Sequence, residues 1–332
     1  MTSGSTTRVA AIDCGTNSIR LLVADVDPTT GTLVDLDRRM EVVRLGQGVD
    51  RTGRLAPDAL ARTLEATARY ARVIEDLGAT RVRFVATSAT RDAENRAEFV
   101  EGVRAALGVD PEVVSGDEEA ALSFRGATGT VAGAHTGPFL VVDLGGGSTE
   151  LVLGGATPDA AFSMDVGCVR MTERHLRSDP PTEAEIAAAT ADVTAALDEA
   201  ARTVPVGEAT TLVGLAGSVT TVTAHALGLT AYDRDRIDGA VLDVDAVLAA
   251  CDDLLHRSRA EREALGFMHP GRVDVIGAGA LVWSQVVRRV RADVAAAGGE
   301  LTAVVTSEHD ILDGIAWSLT EDRALAAGGA TS

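Results

Sequence analysis

The sequence predicts an α/β protein made of two related halves that face each other across a cleft. Three observations carry that prediction. Strand-like runs alternate with helix-like runs along the chain, the pattern of α/β folds. An Asp-x-Gly-rich turn between two apolar strands occurs twice, once near the N-terminus and once near the middle. The length, 332 residues, suits two domains at roughly 150 residues each.

The elements follow in order. Arg8 to Ile12 and Ile19 to Val26 are apolar, β-prone runs around Asp13-Cys14-Gly15-Thr16-Asn17-Ser18, and Asp27-Pro28 stops the second. Met40 to Leu45 reads as a further strand. Pro57 to Leu77 carries Leu60, Leu64, Ala68, Ala71, Ile74 and Leu77 at helical spacing, with Gly78 placed to end it. Arg81 to Ala86 is a strand followed by a polar turn, Thr87-Ser88-Ala89-Thr90. Asn95 to Leu107 is a helix stopped by Gly108. Pro111 to Val114 is a strand, and Ser115-Gly116-Asp117 opens a helix through Phe124. In the second half, Phe139–Val142 and Leu151–Leu153 flank Asp143-Leu144-Gly145-Gly146-Gly147-Ser148. Thr182 to Arg202 is an Ala-rich helix. Thr211–Leu215 before Ala216-Gly217-Ser218, and Val273–Ile276 before Gly277-Ala278-Gly279, read as two strand–turn–helix units. Ala303–Thr306 is a last strand, a helix runs from about Asp310 to Leu319, and the Ala/Gly-rich last dozen residues are expected to fray.

Composition excludes several kinds of chemistry. All 30 basic residues are arginine. A phosphate loop of the Walker type needs a lysine, as do Schiff-base enzymes and ordinary protein kinases. The net charge of −19 argues against a general nucleic-acid binder, whose footprint is basic, and against an anionic membrane surface. A local cluster of Arg and backbone N–H groups still permits an anionic substrate. Cys14, Cys168 and Cys251 form neither a disulfide framework nor a zinc motif. With no signal-like start and no long apolar run, the sequence is expected to be that of a cytoplasmic protein.

Glycine turns after strands let backbone N–H groups approach phosphate closely. Gly145-Gly146-Gly147-Ser148-Thr149 suits that role, three glycines followed by two hydroxyls. Asp13 and Asp143, each ending a strand, can make a turn-stabilising Asx bond or hold Mg²⁺, which binds through one or two carboxylates plus substrate phosphates. The occurrence of two in matching hairpins favours the metal. Glu118 and Glu119 open a helix, where negative charge is favourable. A carboxylate there can also orient and deprotonate a water. Neighbours on a helix point about 100° apart, so at most one of them faces the cleft. Arg20, Arg91 and Arg170 adjoin polar turns and suit phosphate oxygens. The histidines make no metal-binding spacing, and Cys14 is expected to be inert.

Four blocks carry a family resemblance: Ala11-Ile-Asp-Cys-Gly-Thr-Asn-Ser18; Ala86-Thr-Ser-Ala-Thr-Arg91 with Asn95; Val114-Ser-Gly-Asp-Glu-Glu-Ala120; and Val142-Asp-Leu-Gly-Gly-Gly-Ser-Thr-Glu150. In this order and spacing the sequence resembles the exopolyphosphatase / guanosine pentaphosphate phosphatase family over nearly its whole length. The resemblance implies two ribonuclease-H-like domains of the actin/Hsp70/sugar-kinase superfamily around a cleft. The expected division is 1–124 and 125–307, with a C-terminal helix at about 308–325 packing back on the first domain. It implies Mg²⁺- or Mn²⁺-dependent release of a terminal phosphate from inorganic polyphosphate, or from guanosine pentaphosphate, with the tetraphosphate as a further ligand. It implies a homodimer. Position by position, Glu119 matches the catalytic base and Glu150 an acidic residue that helps with water or metal. Asp143 matches a metal-associated Asp, joined by Asp13. Gly145 to Thr149 match the phosphate loop, with Asn17, Ser18, Arg20 and Arg91 as further phosphate contacts.

The sequence also departs from the family. Thr16 replaces a common Ser, Ala121 a common Arg, and Leu312-Asp313-Gly314 a common Arg-Glu-Gly. It ends before the extra C-terminal region of longer members, which implies a preference for short polyphosphate. A sugar-kinase-like phosphotransferase and a non-catalytic polyphosphate or alarmone sensor remain as rivals from other classes.

Overall fold

The computed structural model describes residues 6–320. The first half holds β1 (Thr7–Cys14), β2 (Ser18–Asp27), β3 (Thr32–Val42), α1 (Val49–Thr52), α2 (Pro57–Leu77), β4 (Arg81–Ala86), α3 (Ser88–Arg91), α4 (Arg96–Leu107) and β5 (Glu112–Val113). Helix α5 (Gly116–Val131) leads into β6 (Phe139–Leu144), β7 (Thr149–Gly154), β8 (Pro158–Met164), α6 (Cys168–Arg174) and α7 (Glu183–Ala200). The remainder is β9 (Thr211–Leu215), α8 (Ala216–Ala226), α9 (Arg234–Ile237), β10 (Val241–Asp243), α10 (Val244–His256), α11 (Arg259–Glu263), α12 (Ile276–Ala296), β11 (Ala303–Thr306) and α13 (Ile311–Ser318).

The strands form two sheets, ordered β3-β2-β1-β4-β5 and β10-β11-β9-β6-β7-β8. The second contains the first. In β8-β7-β6-β9-β11, as in β3-β2-β1-β4-β5, three antiparallel strands are followed by two parallel ones. The same five-strand arrangement is thus present twice, with β10 added to the second sheet as an antiparallel edge.

Both faces of each sheet are covered, which is why β1 and β6 read as continuous apolar runs instead of alternating ones. On one face of the first sheet, Ile12, Ile19, Leu21 and Phe84 pack against Ala66, Tyr70 and Ile74 of α2 and Phe99 and Val103 of α4. On the other, Val9, Ala11 and Leu22 meet Leu122 of α5 and Ile311, Leu312 and Ile315 of α13. The second sheet packs Leu140, Val142 and Leu144 onto α7, α10 and α12. Its opposite face takes Phe124, Ala127 and Val131 of α5. One unbroken helix thus contributes to the cores of both halves and runs straight through position 124/125. Helices α5 and α13 touch at backbone level, because a Cβ on Gly126 would strike Asp310 O and one on Gly314 would strike Leu122 O.

Three sequence expectations are corrected, the first being the strand at Met40 to Leu45, which the structure places at Thr32–Val42. Val273–Ile276 is not a strand but the lead-in to α12, since β9 already pairs with β11 and the apolar run is buried among helices. The third helix does not stop at Phe124 but continues to Val131, because Gly126 serves close packing there instead of ending the helix. The expected extension of the last helix to 325 and the fraying terminus lie outside the described residues. Among those described, no helix is long and apolar enough to cross a membrane.

Candidate active site

Each hairpin loop starts from an aspartate at the end of a central strand. Gly15 N donates to Ser18 O and Gly145 N to Ser148 O, both at 3.0 Å, so the two loops close alike. They also meet. A Cβ on Gly146 would lie 2.9 Å from Thr16 Cβ, and one on Gly147 would lie 2.5 Å from Ser88 Oγ and 2.7 Å from Thr16 Oγ1. The second loop needs glycine where the first supplies side chains.

Between the loops lies a cavity of about 100 Å³. The first half lines it with Asp13, Asn17, Ser18, Arg20, Thr87 and Ser88, and α5 contributes Glu119. The second half supplies Asp143, Gly145, Gly146, Ser148, Ser218 and Arg272. Helices α8 and α12 begin at its wall, through Ala216, Gly217 and Ser218 and through Val275 and Ile276. Helix starts carry unpaired N–H groups and the positive end of the dipole. The turn from β9 into α8 holds Ala216 at φ 67°, in the left-handed region, a strain of the kind that concentrates at functional sites. Gly217 leaves room for the Arg272 guanidinium, which a Cβ there would strike. Two arginines, two helix starts and two glycine turns make this a place for phosphate.

Against that positive wall stand carboxylates. Glu119 is 8% exposed, and its Oε2 accepts from Arg91 Nη1 at 3.1 Å. Burial and the charges of Glu150 and Asp143 push its pKa well up, opposed by Arg91. Asp143 accepts from Ser123 Oγ at 2.6 Å. Burial, then the charges of Glu150 and Asp310, push its pKa up to about 7. Glu150, raised by burial, lies behind the wall and accepts from Ser163 Oγ at 2.7 Å. Asp13, also raised by burial, is already paired: Arg20 donates to its Oδ2 from Nε at 2.9 Å and from Nη2 at 2.7 Å. Arg20 also donates to Asp310.

The comparisons with known proteins agree with one another. Residues 22–298 match the profile of the Ppx/GppA phosphatase family. The chain belongs to that family. It is 52% identical over 320 residues to a Mycobacterium tuberculosis protein named exopolyphosphatase 2, covering 94% of this chain and 98% of the relative. A solved exopolyphosphatase-like protein is 50% identical, with a TM-score of 0.91 over 94% of this chain and 97% of its own. The Aquifex aeolicus PPX-GPPA enzyme is 29% identical, with a TM-score of 0.76 over 96% of this chain and all of its own.

In this Ppx/GppA chain the residues singled out from sequence fall in three places. Asp13, Asn17, Ser18, Arg20, Glu119, Asp143, Gly145, Gly146 and Ser148 line the cavity. Of the adjacent glutamates it is Glu119 that faces inward, while Glu118 points outward to Arg83 at 2.6 Å. Arg91, Glu150, Gly147 and Thr149 do not line it. Arg91 instead donates to Glu119 and to Val114 O, and Thr149 Oγ1 donates to Val166 O at 2.5 Å. Arg170 sits behind the glycine loop, bonded to Gly147 O, Asp50 and Asp92. Cys14 is buried, and burial holds its thiol pKa well up. Sequence reasoning missed Arg272 and the hydroxyls of Thr16, Thr87 and Ser88. The last three sat in polar turns already noted, whereas Arg272 follows His269-Pro270 with nothing local to mark it.

Among the described residues, no group of three or more His, Cys, Asp or Glu is placed to hold a metal unaided. Mg²⁺ takes one or two protein carboxylates and completes its shell with water and phosphate. Asp143, on the cavity wall with two acidic neighbours, is the carboxylate with charge left to neutralise. Asp13 has Arg20 for that purpose.

Proposed function

We propose that this protein is an exopolyphosphatase that releases terminal orthophosphate from short inorganic polyphosphate by hydrolysis, with Glu119 as the general base. The observation that carries the reading is Glu119 itself: a buried carboxylate on the cavity wall, facing two phosphate-binding loops, with a raised pKa. The similarity to the mycobacterial protein named exopolyphosphatase 2 supports the substrate class.

The N–H groups of Gly146 and Ser148, with Asn17, Ser18, Arg20 and Arg272, would hold the terminal phosphate. Water attacks its phosphorus as the bridging P–O bond breaks, the shortened chain leaves with the electron pair, and Glu119 takes the water's proton. Arg91 keeps Glu119 oriented and limits the rise of its pKa. Glu150 has no direct access and acts through its charge on Glu119 and Asp143. Asp143, backed by Glu150, would hold Mg²⁺ or Mn²⁺, and that ion, when bound, neutralises phosphate oxygens. Of the arginines beside the cavity, Arg20 already pairs with Asp13 and Asp310, Arg38 with Asp35 and Asp313, and Arg39 with Asp37, which leaves little free positive charge for a long polymer and supports short chains.

The test is phosphate release with and without Mg²⁺. Glu119→Gln should lose about 10²–10⁴-fold in rate, the usual effect of a general base. Near-normal turnover by the folded variant would make the assignment wrong.

One observation favours a second substrate. A neighbouring cavity of about 480 Å³ shares Arg20, Met40, Gly217 and Arg272 with the first. It adds Tyr232, Phe267 and Met268, apolar surfaces that suit a nucleobase. Guanosine pentaphosphate would place its base there and its terminal phosphate in the smaller cavity. Direct competition between the two substrates ranks them.

A further inference from the structure

Arg170 adjoins a polar turn in the sequence and its residue type suits phosphate, yet its guanidinium lies on the far side of the glycine loop. It is 12% exposed in the side chain and makes three directional bonds. Nε donates to Gly147 O at 2.7 Å, Nη1 to Asp50 Oδ1 at 2.8 Å and Nη2 to Asp92 Oδ2 at 2.6 Å. The first partner belongs to the second half's phosphate loop. The other two belong to the first half, with Asp92 directly following α3, whose Ser88 lines the cavity.

The helix that carries Arg170 is itself joined to the loop. Cys168 N donates to Gly145 O at 3.0 Å, and Val169 N and Arg170 N to Gly146 O at 2.9 and 3.1 Å. A Cβ on Gly167 would lie 2.5 Å from Gly146 C, so α6 starts in contact with the loop backbone. One helical turn on, at positions that share a face, Glu173 accepts from Gly48 N at 3.0 Å and Arg174 donates to Asp50 at 2.7 Å. This face of α6 therefore bridges the two halves behind the cavity. The Gly147 carbonyl points to Arg170, and in a trans peptide the next N–H points the opposite way. That N–H belongs to Ser148, which borders the cavity.

We propose that Arg170 is a positioning residue: its three bonds, one to the loop and two to the first half, fix the Gly147–Ser148 peptide so that the Ser148 N–H faces the terminal phosphate. The inference rests on the exopolyphosphatase reading for its kinetic consequence, but not for its structural one. Arginine is needed because its planar fork reaches three acceptors at once, whereas a lysine is a point charge.

The experiment compares wild type, Arg170→Ala, Arg170→Lys and Asp92→Asn by two readouts. The first is hydrogen exchange at the amides of Gly145, Cys168 and Val169, with the buried amides of α12 as an internal control for global unfolding. These three amides, one in the loop and two of α6 bonded to it, should exchange at least tenfold faster in both Arg170 variants while α12 is unchanged. The second is steady-state phosphate release. The rate constant kcat should fall on the order of 10²-fold, the cost of misplacing reacting groups by about 1 Å, with KM changed far less. Arg170→Lys should not restore it, and Asp92→Asn, the mildest variant, should fall between. Unchanged loop exchange would overturn the proposal, as would full activity in Arg170→Lys. A wild type that releases no phosphate would sink the exopolyphosphatase reading alone, and the exchange readout would still decide the role of Arg170.

Discussion

The two central hairpins, β1–β2 and β6–β7, differ at one decisive position. They occupy the same place in equivalent sheets, start their loops from equivalent aspartates and close them with the same Gly N to Ser O bond. In the first, the residue across the ladder from Asp13 is Arg20; in the second, the residue across from Asp143 is Glu150. The first hairpin is a neutralised pair, further anchored by Asp310. The second buries two acids side by side, which pushes Asp143 up to about 7. Like charges sharing a buried site are held there for a cation or a proton. The two frames share their topology, and the residue facing the aspartate makes one a brace and leaves the other chemically unbalanced. The sequence expectation gave Asp13 and Asp143 the same role as metal ligands; in the structure Arg20 hydrogen-bonds Asp13, whereas Ser123 is the side chain that donates to Asp143.

The largest expected effect comes from making the second hairpin resemble the first. Glu150→Arg should abolish activity, because it places a cation beside Asp143. The near-isosteric Glu150→Gln should lower kcat/KM or Mg²⁺ affinity by about 10–100-fold, the usual cost of losing a partner behind a metal ligand. It should also move the acidic limb of the rate profile to lower pH. The sign follows from the charges: Glu150 raises the pKa values of both Glu119 and Asp143, so removing its charge lets both ionise earlier. Wild-type rates and an unmoved acidic limb in Glu150→Gln would break the comparison.

An intermediate effect tests how the loops fit. Asp13-Cys14-Gly15-Thr16-Asn17-Ser18 aligns with Asp143-Leu144-Gly145-Gly146-Gly147-Ser148, so Thr16 and Asn17 stand where Gly146 and Gly147 do. Gly146→Ala should cost about 1–3 kcal/mol, the range for overpacking, since its Cβ would lie 2.9 Å from Thr16 Cβ. In a Thr16→Gly background that cost should largely vanish. Denaturant midpoints of the four proteins in the cycle give the coupling energy, and additive costs would mean that the loops do not press on each other.

Much of this was legible in the sequence, for physical reasons that also mark where legibility ended. Paired hairpins show because apolar strands and Gly-rich turns are local signals. Helix α2 could be read end to end, because its apolar spacing is regular and Gly78 adopts φ 69° at its C-cap. Strand β3 was placed too late, at Met40 to Leu45 instead of Thr32–Val42. It is an edge strand whose early residues, Val34 at 52% and Leu36 at 40% exposure among them, show no buried face to read. At the site, Glu119 and Asp143 lay in contiguous motifs. Arg272 did not, because only tertiary packing brings it beside Gly217. Arg170 was visible as an arginine near a turn, but which side of the loop it served depended on α6, which the sequence did not announce.

The smallest effect probes the brace at its outer end. Arg20 reaches Asp310, whose helix α13 opens with a capping box formed with Asp313. Asp313 in turn accepts from Arg38 Nη2 at 2.6 Å and lies 3.0 Å from His309 Nδ1. The hydrogen bond to Asp313 raises the His309 pKa above its ordinary 6.5, against burial and Arg234 and with help from the charges of Asp313 and Asp238. A histidine bound more tightly to its proton in the folded state adds stability that is full below pH 6.5 and is lost as pH rises through the folded value. His309→Gln should therefore lower the thermal midpoint most at about pH 5.5, with the gap to wild type closing by about pH 9. The difference should be about 1 kcal/mol or less, because the ring is 26% exposed and solvent screens the pair. A gap that stays constant across that range would mean His309 is neutral throughout, and that the first hairpin's brace ends at Asp310.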